Sequence, residues 1–566
     1  MRQSGVGGRT AVGLAVVCAV VAAGIATGEA RAATPSFGNV VVTAVGHGPN
    51  QIAVADFNND GRPDAVVADG AVNASTITVL IGNGAGSFAR HDYGPFPLVY
   101  TPSGTPQITS VATGDLNGDG NADIVFNTFQ GEYEGVLLGN GDGTFQPVRT
   151  INIQPLDQAI PTAVAVGDMN GDGKPDLVIT RTWPQGAVQI LPGNGDDTFT
   201  RGSRIASGGQ KPDGLTLADM NGDGNLDAVV ANYDTNGNGQ NVSVLFGDGR
   251  GGWAGSETYS VTNIQGGNIA IAHPVTVGDL NGDGYPDVSV GTTTGGSATV
   301  LYGSASGALT AASIDLRFGA APWDVAFADM NADDIPDVVT ADRSTIYALT
   351  GTGGGSFGAA TGRLELYPST PTWLAVADFN GDGLPDVLVA NPSADTVSFV
   401  PNATVLDSTP PQLTVPSNLT VDADSPAGAA VQYSVSAVDA VDGPVAATCS
   451  PESGTPFPIG TSTVTCSAAD KAGNSATASF TVTVRSPAEQ LARLQTQVAG
   501  VGPGKSLVQK VAGANTKLAA GDSAGAVAAL SAFEHEVQAQ TGKKLDAATA
   551  ADLLAAAERI RAALGY

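Results

Sequence analysis

Asp56-Phe57-Asn58-Asn59-Asp60-Gly61-Arg62-Pro63-Asp64 is one of seven copies of a single nonapeptide. The other copies begin at Asp115, Asp168, Asp219, Asp279, Asp329 and Asp378, at intervals of 59, 53, 51, 60, 50 and 49 residues. A period near 50 marks a repeat architecture. Each copy follows a short apolar run such as Ile52-Ala53-Val54-Ala55 and precedes another such as Ala65-Val66-Val67-Ala68. A third run, Thr78-Val79-Leu80-Ile81 in the first repeat, comes after a gap. These runs are short, β-branched and bounded by Gly, Asn and Pro, so they are strands. A fourth, less regular segment leads into the next unit. Four short strands per repeat, seven times over, predict a seven-bladed β-propeller across residues 34–404.

The third strand ends in a second motif, Gly82-Asn83-Gly84-Ala85-Gly86-Ser87-Phe88 in the first repeat and Gly139-Asn140-Gly141-Asp142-Gly143-Thr144-Phe145 in the second. A dinucleotide-binding glycine motif must open a helix, and here strands lie on both sides. The reading is a glycine hairpin with one aromatic plug between blades. The seventh unit lacks this ending. Its counterpart stands at the other end of the repeats, at Pro35-Ser36-Phe37 and Val40 to Val45. The N-terminal strand should therefore complete the last blade and remove the open sheet edges.

Positions 1, 3, 5 and 9 of the nonapeptide are Asp, Asn, Asp and Asp in every copy. They are Asp56, Asn58, Asp60 and Asp64; Asp115, Asn117, Asp119 and Asp123; Asp168, Asn170, Asp172 and Asp176; Asp219, Asn221, Asp223 and Asp227. The last three sets are Asp279, Asn281, Asp283 and Asp287; Asp329, Asn331, Asp333 and Asp337; Asp378, Asn380, Asp382 and Asp386. Hard oxygen donors at alternate positions suit a Ca²⁺ loop. Position 7 would add its backbone carbonyl, from Arg62, Asn121, Lys174, Asn225, Tyr285, Ile335 and Leu384 in turn. Up to seven Ca²⁺ ions are expected. With no glutamate at position 12 and strands on both flanks, the loop differs from an EF-hand, and position 9 is expected to close the site. Position 6 is Gly in six copies, where a sharp turn needs positive φ. The sixth copy has Asp334 there and is the weakest.

These residues resemble the FG-GAP/VCBS repeats of the integrin α-subunit propeller and of many bacterial secreted proteins. The resemblance implies Ca²⁺ in the loop between the first two strands of each blade and recognition on the opposite face. It implies adhesion to, or recognition of, an extracellular glycan or protein ligand. A polysaccharide lyase on the same scaffold and a purely structural surface protein are the alternatives. The loops joining strands two and three carry Phe129, Glu132, Tyr133 and Glu134, then Trp183, then Tyr233 and Asp234. Phe129, Tyr133, Trp183 and Tyr233 are the candidate ligand contacts. Four histidines, His47, His91, His273 and His535, and no readable nucleophile, zinc or phosphate motif argue against an enzyme.

The chain's net charge is −29 over 566 residues, and residues 34–404 hold 39 acids against 12 bases. Such a body disfavours nucleic acid and anionic membrane and favours bound cations. Arg2, Arg9, the apolar run Ala11 to Ala26 and Ala30-Arg31-Ala32 read as a secretory signal over residues 1–33. The run is too short to span a bilayer, so no membrane insertion is expected after cleavage. Cys18 lies inside the signal, which leaves Cys449 and Cys466 as one disulfide in an exported chain.

Residues 405–486 alternate as a β-sandwich would. Phe457-Pro458-Ile459-Gly460, Thr463-Val464-Thr465-Cys466 and Asp470-Lys471-Ala472-Gly473-Asn474 resemble the HYR (hyalin repeat) domain, which implies an immunoglobulin-like fold and an adhesive spacer. Residues 487–566 turn to Ala, Leu, Gln and Lys. Ser486 to Glu489 is a capping box with Pro at the first helical position, and Asp522 and Asp546 can cap later helices. A four-helix bundle is expected, similar to the FIMAH domain of bacterial exported proteins.

Overall fold

The computed structural model describes residues 34–71, 76–96, 107–129, 133–152, 160–182, 186–233, 240–261, 271–292, 297–315, 323–342, 344–366, 371–470, 472–502 and 505–566. The expected signal at 1–33 lies outside them. The chain divides into two compact units, one running to Leu406 and the other from Asp407 to Tyr566.

The first unit is mainly β and propeller-like. Among the described residues it holds seven four-stranded antiparallel sheets. The first sheet runs Pro49–Ala55, Asp64–Asp69, Ile77–Gly82 and Phe88–Tyr93 in order from inner to outer strand. The next five repeat this meander within 107–152, 161–206, 211–261, 271–315 and 324–365. The seventh takes three strands from the end of the repeats, Trp373–Ala377, Asp386–Asn391 and Thr396–Val400, and its outer strand from Val41–Ala44. Val41 faces Phe399 and Ala44 faces Thr396, antiparallel, as the missing seventh hairpin predicts. Phe37 bridges to Asn402 beyond the strand end.

Second strands such as Asp64–Asp69 and Asp386–Asn391 are buried at every residue. They read as unbroken apolar runs because a neighbouring sheet covers each face. Outer strands such as Arg204–Ala206 are largely exposed and carry the charge. Seven apolar clusters each straddle two neighbouring sheets. One of them packs Val54, Val67 and Leu80 of the first sheet on Leu388, Val397 and Phe399 of the seventh. The glycine hairpin supplies the expected plug: Phe145 stacks edge-on against Phe57 and Tyr93 of the preceding sheet, and Phe88 against Phe379 and Phe399.

Neighbouring inner strands belong to different sheets, so side chains stitch them. Val111 N–H donates to Gln51 Oε1 (2.9 Å), Val164 N–H to Ser110 Oγ (3.2 Å) and Leu374 N–H to Asp324 Oδ2 (2.7 Å). The hydroxyls of Thr216 and Thr276 donate to the carbonyls of Val275 (2.5 Å) and Val325 (2.7 Å). Asp324 is buried, and that burial pushes its carboxyl up to about 7.

In the second unit one sheet runs Leu419–Asp422, Ser475–Arg485, Gly460–Ala469 and Ala447–Ser450, and another Gln412–Thr414, Ser436–Asp439 and Gly443–Val445. Cys449 faces Cys466 across the first of these sheets, and the two are bonded as expected. Four helices follow: α1 (Pro487–Val498), α2 (Lys505–Ala519), α3 (Ser523–Gln540) and α4 (Ala547–Ala563). Ser486 and Glu489 form the predicted capping box, and Asp522 and Asp546 cap α3 and α4. The two modules, read separately in the sequence, pack as one unit. Ala563 of α4 enters the strand module's core, and Gln490 Nε2 of α1 donates to the carbonyl of Ala423 (3.0 Å). His535 is exposed on α3. No helix among the described residues is long and apolar enough to cross a membrane.

Candidate functional site: the aspartate loops and the axial cavity

Each nonapeptide joins the innermost strand of a sheet to the second strand, and one hydrogen-bond net recurs in all seven. The position-6 amide donates to Oδ2 of position 1 at 2.7–2.9 Å. The position-5 amide donates to Oδ1 of positions 1 and 3, as Asp60 N–H does to Asp56 (3.1 Å) and Asn58 (3.0 Å). The position-7 amide donates to Oδ1 of position 5 at 2.8–3.0 Å. Side-chain oxygens of positions 1, 3 and 5 are thereby gathered on the same short run of amides, an all-oxygen donor set suited to a hard cation.

Position 9 behaves differently from the other three. Asp64, Asp123, Asp176, Asp227, Asp287, Asp337 and Asp386 are each 0% exposed. Oδ2 of each accepts from the position-2 amide at 2.8–3.0 Å. Oδ1 accepts at 2.7–2.9 Å from a residue at or just past the end of the third strand, Gly82, Gly139, Gly193, Gly247, Gly303, Gly351 or Asn402. In six copies that residue is Gly for a steric reason: a Cβ on Gly193 would stand 2.0 Å from the carbonyl oxygen of Pro175. So position 9 ties loop, second strand and hairpin together. Among the described residues, the trio of carboxylates with oxygens all within 4.8 Å of one another lies in the second unit and not in these loops. Burial pushes Asp64, Asp176, Asp227 and Asp287 up to about 6 and Asp123, Asp337 and Asp386 up to about 7, against the amide bonds that pull them down. Neighbouring carboxylates of the same loop push the same way. What fits Ca²⁺ here is the all-oxygen donor set of positions 1, 3 and 5.

The sequence also carried a signal that reading position 6 alone misses. Position 4 has positive φ in every loop: Asn59 (56°), Gly118 (75°), Gly171 (73°), Gly222 (72°), Gly282 (75°), Ala332 (57°) and Gly381 (77°). In the sixth loop Asp334 at position 6 adds a second non-glycine at 62°. An alanine held there costs ~1–2 kcal/mol, and glycine gives back ~0.4–1 kcal/mol through the unfolded chain. Ala332→Gly should therefore stabilise the protein by about 0.5–1 kcal/mol, read as a rise in melting temperature. An unchanged or lower value would show that the loop relaxes around Ala332.

Three of the other candidate residues stand at strand ends away from the aspartate loops. Phe129 ends the strand Asp123–Phe129, Tyr133 opens Tyr133–Leu137, and Tyr233 ends Asp227–Tyr233. Trp183, Glu132 and Asp234 lie outside the described residues. Glu134, read as a loop carboxylate, is instead within a strand and wholly buried, because the strands run further than their apolar cores suggest. Burial pushes its carboxyl up to about 8, opposed by the positive charge of Arg181, itself 1% exposed.

On the same face a cavity of about 560 Å³ lies where the innermost strands begin, lined by residues in or next to the innermost strands of all seven sheets. Trp323 and Trp373 come from adjacent sheets, Lys211 and Asp213 from a third. Two lining oxygens, Asn50 Oδ1 and Thr372 Oγ1, have no hydrogen-bond partner. Neither tryptophan belongs to a repeated motif, which is why reading the repeats passes them over.

The FG-GAP-like repeat family matches residues 56–126, 134–179, 168–230, 219–290, 279–340 and 329–389, and the HYR domain family matches 406–484. No curated protein matches the chain in sequence. Among solved structures, a lectin of Agrocybe aegerita, described as recognising non-reducing terminal N-acetylglucosamine, is 19% identical with a TM-score of 0.41. That match covers 64% of this chain and 87% of the lectin. BBS1N, solved in complex with ARL6DN, is 12% identical with a TM-score of 0.44, over 66% of this chain and 100% of that one.

Proposed function

The chain belongs to the FG-GAP-like repeat family, and from that premise we propose that it is a secreted recognition protein whose seven-bladed, Ca²⁺-braced ring presents a ligand site at its axis. The HYR domain, with its implied immunoglobulin-like fold, and the helical module would serve as spacer and attachment. The ligand class is an extracellular glycan or protein. The observation that carries this reading is the axial cavity on the face away from the aspartate loops, with Trp323 and Trp373 on its wall. Ligand sites are concave, mostly apolar and provided with a few fixed polar groups. Indole faces suit the apolar faces of sugar rings, while Lys211, Asp213 and the unpartnered oxygens of Asn50 and Thr372 supply polar contacts. Tyr133 and Trp183, candidate contacts by sequence, are the further residues to vary.

The test is a glycan array and cell-surface binding assay with the full chain in Ca²⁺. The double variant Trp323→Ala, Trp373→Ala should lose binding, and Tyr133→Ala, Trp183→Ala should weaken it. The Ca²⁺-dependent melting curve should hardly move. Full-affinity binding by the tryptophan double variant, or loss of binding only on changes to the aspartate-loop face, would defeat the assignment.

A further inference from the structure

We propose that Asp407, Asp439 and Asp470 bind a hard divalent cation, Ca²⁺ by its donor set, in the strand module that opens the second unit. The three residues come from separate parts of the chain. Asp407 precedes the strand Gln412–Thr414, Asp439 ends Ser436–Asp439, and Asp470 follows Gly460–Ala469. One oxygen of each lies within 4.8 Å of the other two. Asp439 is 3% exposed and Asp470 8%. The module's arginine pairs go elsewhere, Arg485 and Arg493 both to Asp422.

Main-chain amides aim the carboxylates. Asp439 Oδ1 accepts from Val441 N–H (2.7 Å) and Asp442 N–H (2.9 Å), and Asp470 Oδ1 from Asn474 N–H (2.7 Å). Asp407 Oδ1 accepts from the amide (3.0 Å) and hydroxyl (2.7 Å) of Thr409. Asn474 Nδ2 donates both to Asp470 Oδ2 (3.0 Å) and to the carbonyl of Asp407 (3.0 Å), clamping two of the segments together. The second observation is independent of the clustering: Asp439 Oδ2 and Asp407 Oδ2 are buried and have no donor. Buried acceptors are normally satisfied, and where three carboxylates converge on one point a cation satisfies them together. Oxygen donors without nitrogen or sulfur select a hard ion, and a site with few protein ligands completed by water is within the habit of Ca²⁺. The site shares no residue with the aspartate loops, so it stands or falls separately from them.

The decisive experiment is a crystal of the full chain grown in Ca²⁺ and soaked with Tb³⁺, with an anomalous map. A peak bonded to all three carboxylates is expected. In parallel, equilibrium dialysis should count one ion fewer per chain for Asp439→Asn than for the wild type. That variant keeps an Oδ1 for the two amides, and its melting in chelator should match the wild type in chelator, which separates ion loss from misfolding. No peak at the trio, an unchanged ion count, or a proton shared between Asp407 and Asp439 in Ca²⁺ would overturn the proposal. Preferential filling by Mg²⁺ at equal concentration would overturn the choice of Ca²⁺.

Discussion

At pH 7.5 the protein in excess chelator should melt far below the protein in millimolar Ca²⁺, and the gap should shrink as the pH is lowered toward 5. A site at about 100 times its Kd adds roughly 2.7 kcal/mol, and several such sites would act together on the repeats. The pH dependence follows from position 9. Its seven carboxyls titrate near 6 or 7 in the folded ion-free chain, above the ordinary value of 3.8. Between about pH 4 and 7 the folded state therefore holds more protons than the unfolded state, and stability falls as pH rises through that window. Each pK unit is worth about 1.4 kcal/mol per group. The contribution is whole below the unfolded value and gone above about 7. Bound Ca²⁺ would supply at high pH the positive charge that protons supply at low pH. An identical melting curve in chelator and in Ca²⁺ at pH 7.5, with no Ca²⁺ by elemental analysis, would sink the metal assignment. A gap that widens with acidity would sink the role given to position 9.

Deleting Phe37 to Val45 should cause aggregation or a much lower melting temperature. The deletion strips the outer strand from Thr396–Val400 and uncovers its full edge. It also removes Val45, which is 6% exposed and packs in the cluster that joins the first sheet to the seventh. An unpaired edge of this kind is a template for another chain. Light scattering and a thermal melt in Ca²⁺ give the readout. A monomeric, equally stable deletion variant would mean that the contact between first and seventh sheets suffices without the strand.

Much of the repeat unit was legible because each feature rests on local chemistry repeated many times. The Asp-Asn-Asp-Asp spacing, the flanking apolar runs and the misplaced N-terminal strand each survive one weak copy. Position 4 was legible too, since five copies have glycine there, but its left-handed backbone shows only when the loops are compared as geometry. What could not be read comes from single residues brought together by tertiary structure. Trp323 and Trp373 stand in different repeats and share no motif. Asp407, Asp439 and Asp470 are scattered across one module, and nothing in their spacing points to a common centre. Glu134 has the composition of a loop residue and the place of a core residue, because Arg181 on the next sheet offers it a buried counter-charge. The periodicity of α4 gives an apolar face but does not say that Ala563 will meet a strand module rather than another helix.

The way the seventh sheet is made has a consequence for kinetics. Within each of the other six sheets the hydrogen-bonded strands follow one another along the chain, so local sequence suffices to form them. Ser36 and Thr404, by contrast, hydrogen-bond across a separation of 368 residues. Closing so long a segment adds only a logarithmic entropy cost, but non-local pairing is what slows folding. Val41–Ala44 therefore cannot pair until Thr396–Val400, far along the chain, is in place. Until Thr396–Val400 has been synthesised, the growing chain carries an unmated strand at its front. The pairing that completes the seventh sheet is thus the most non-local one in the first unit among the described residues.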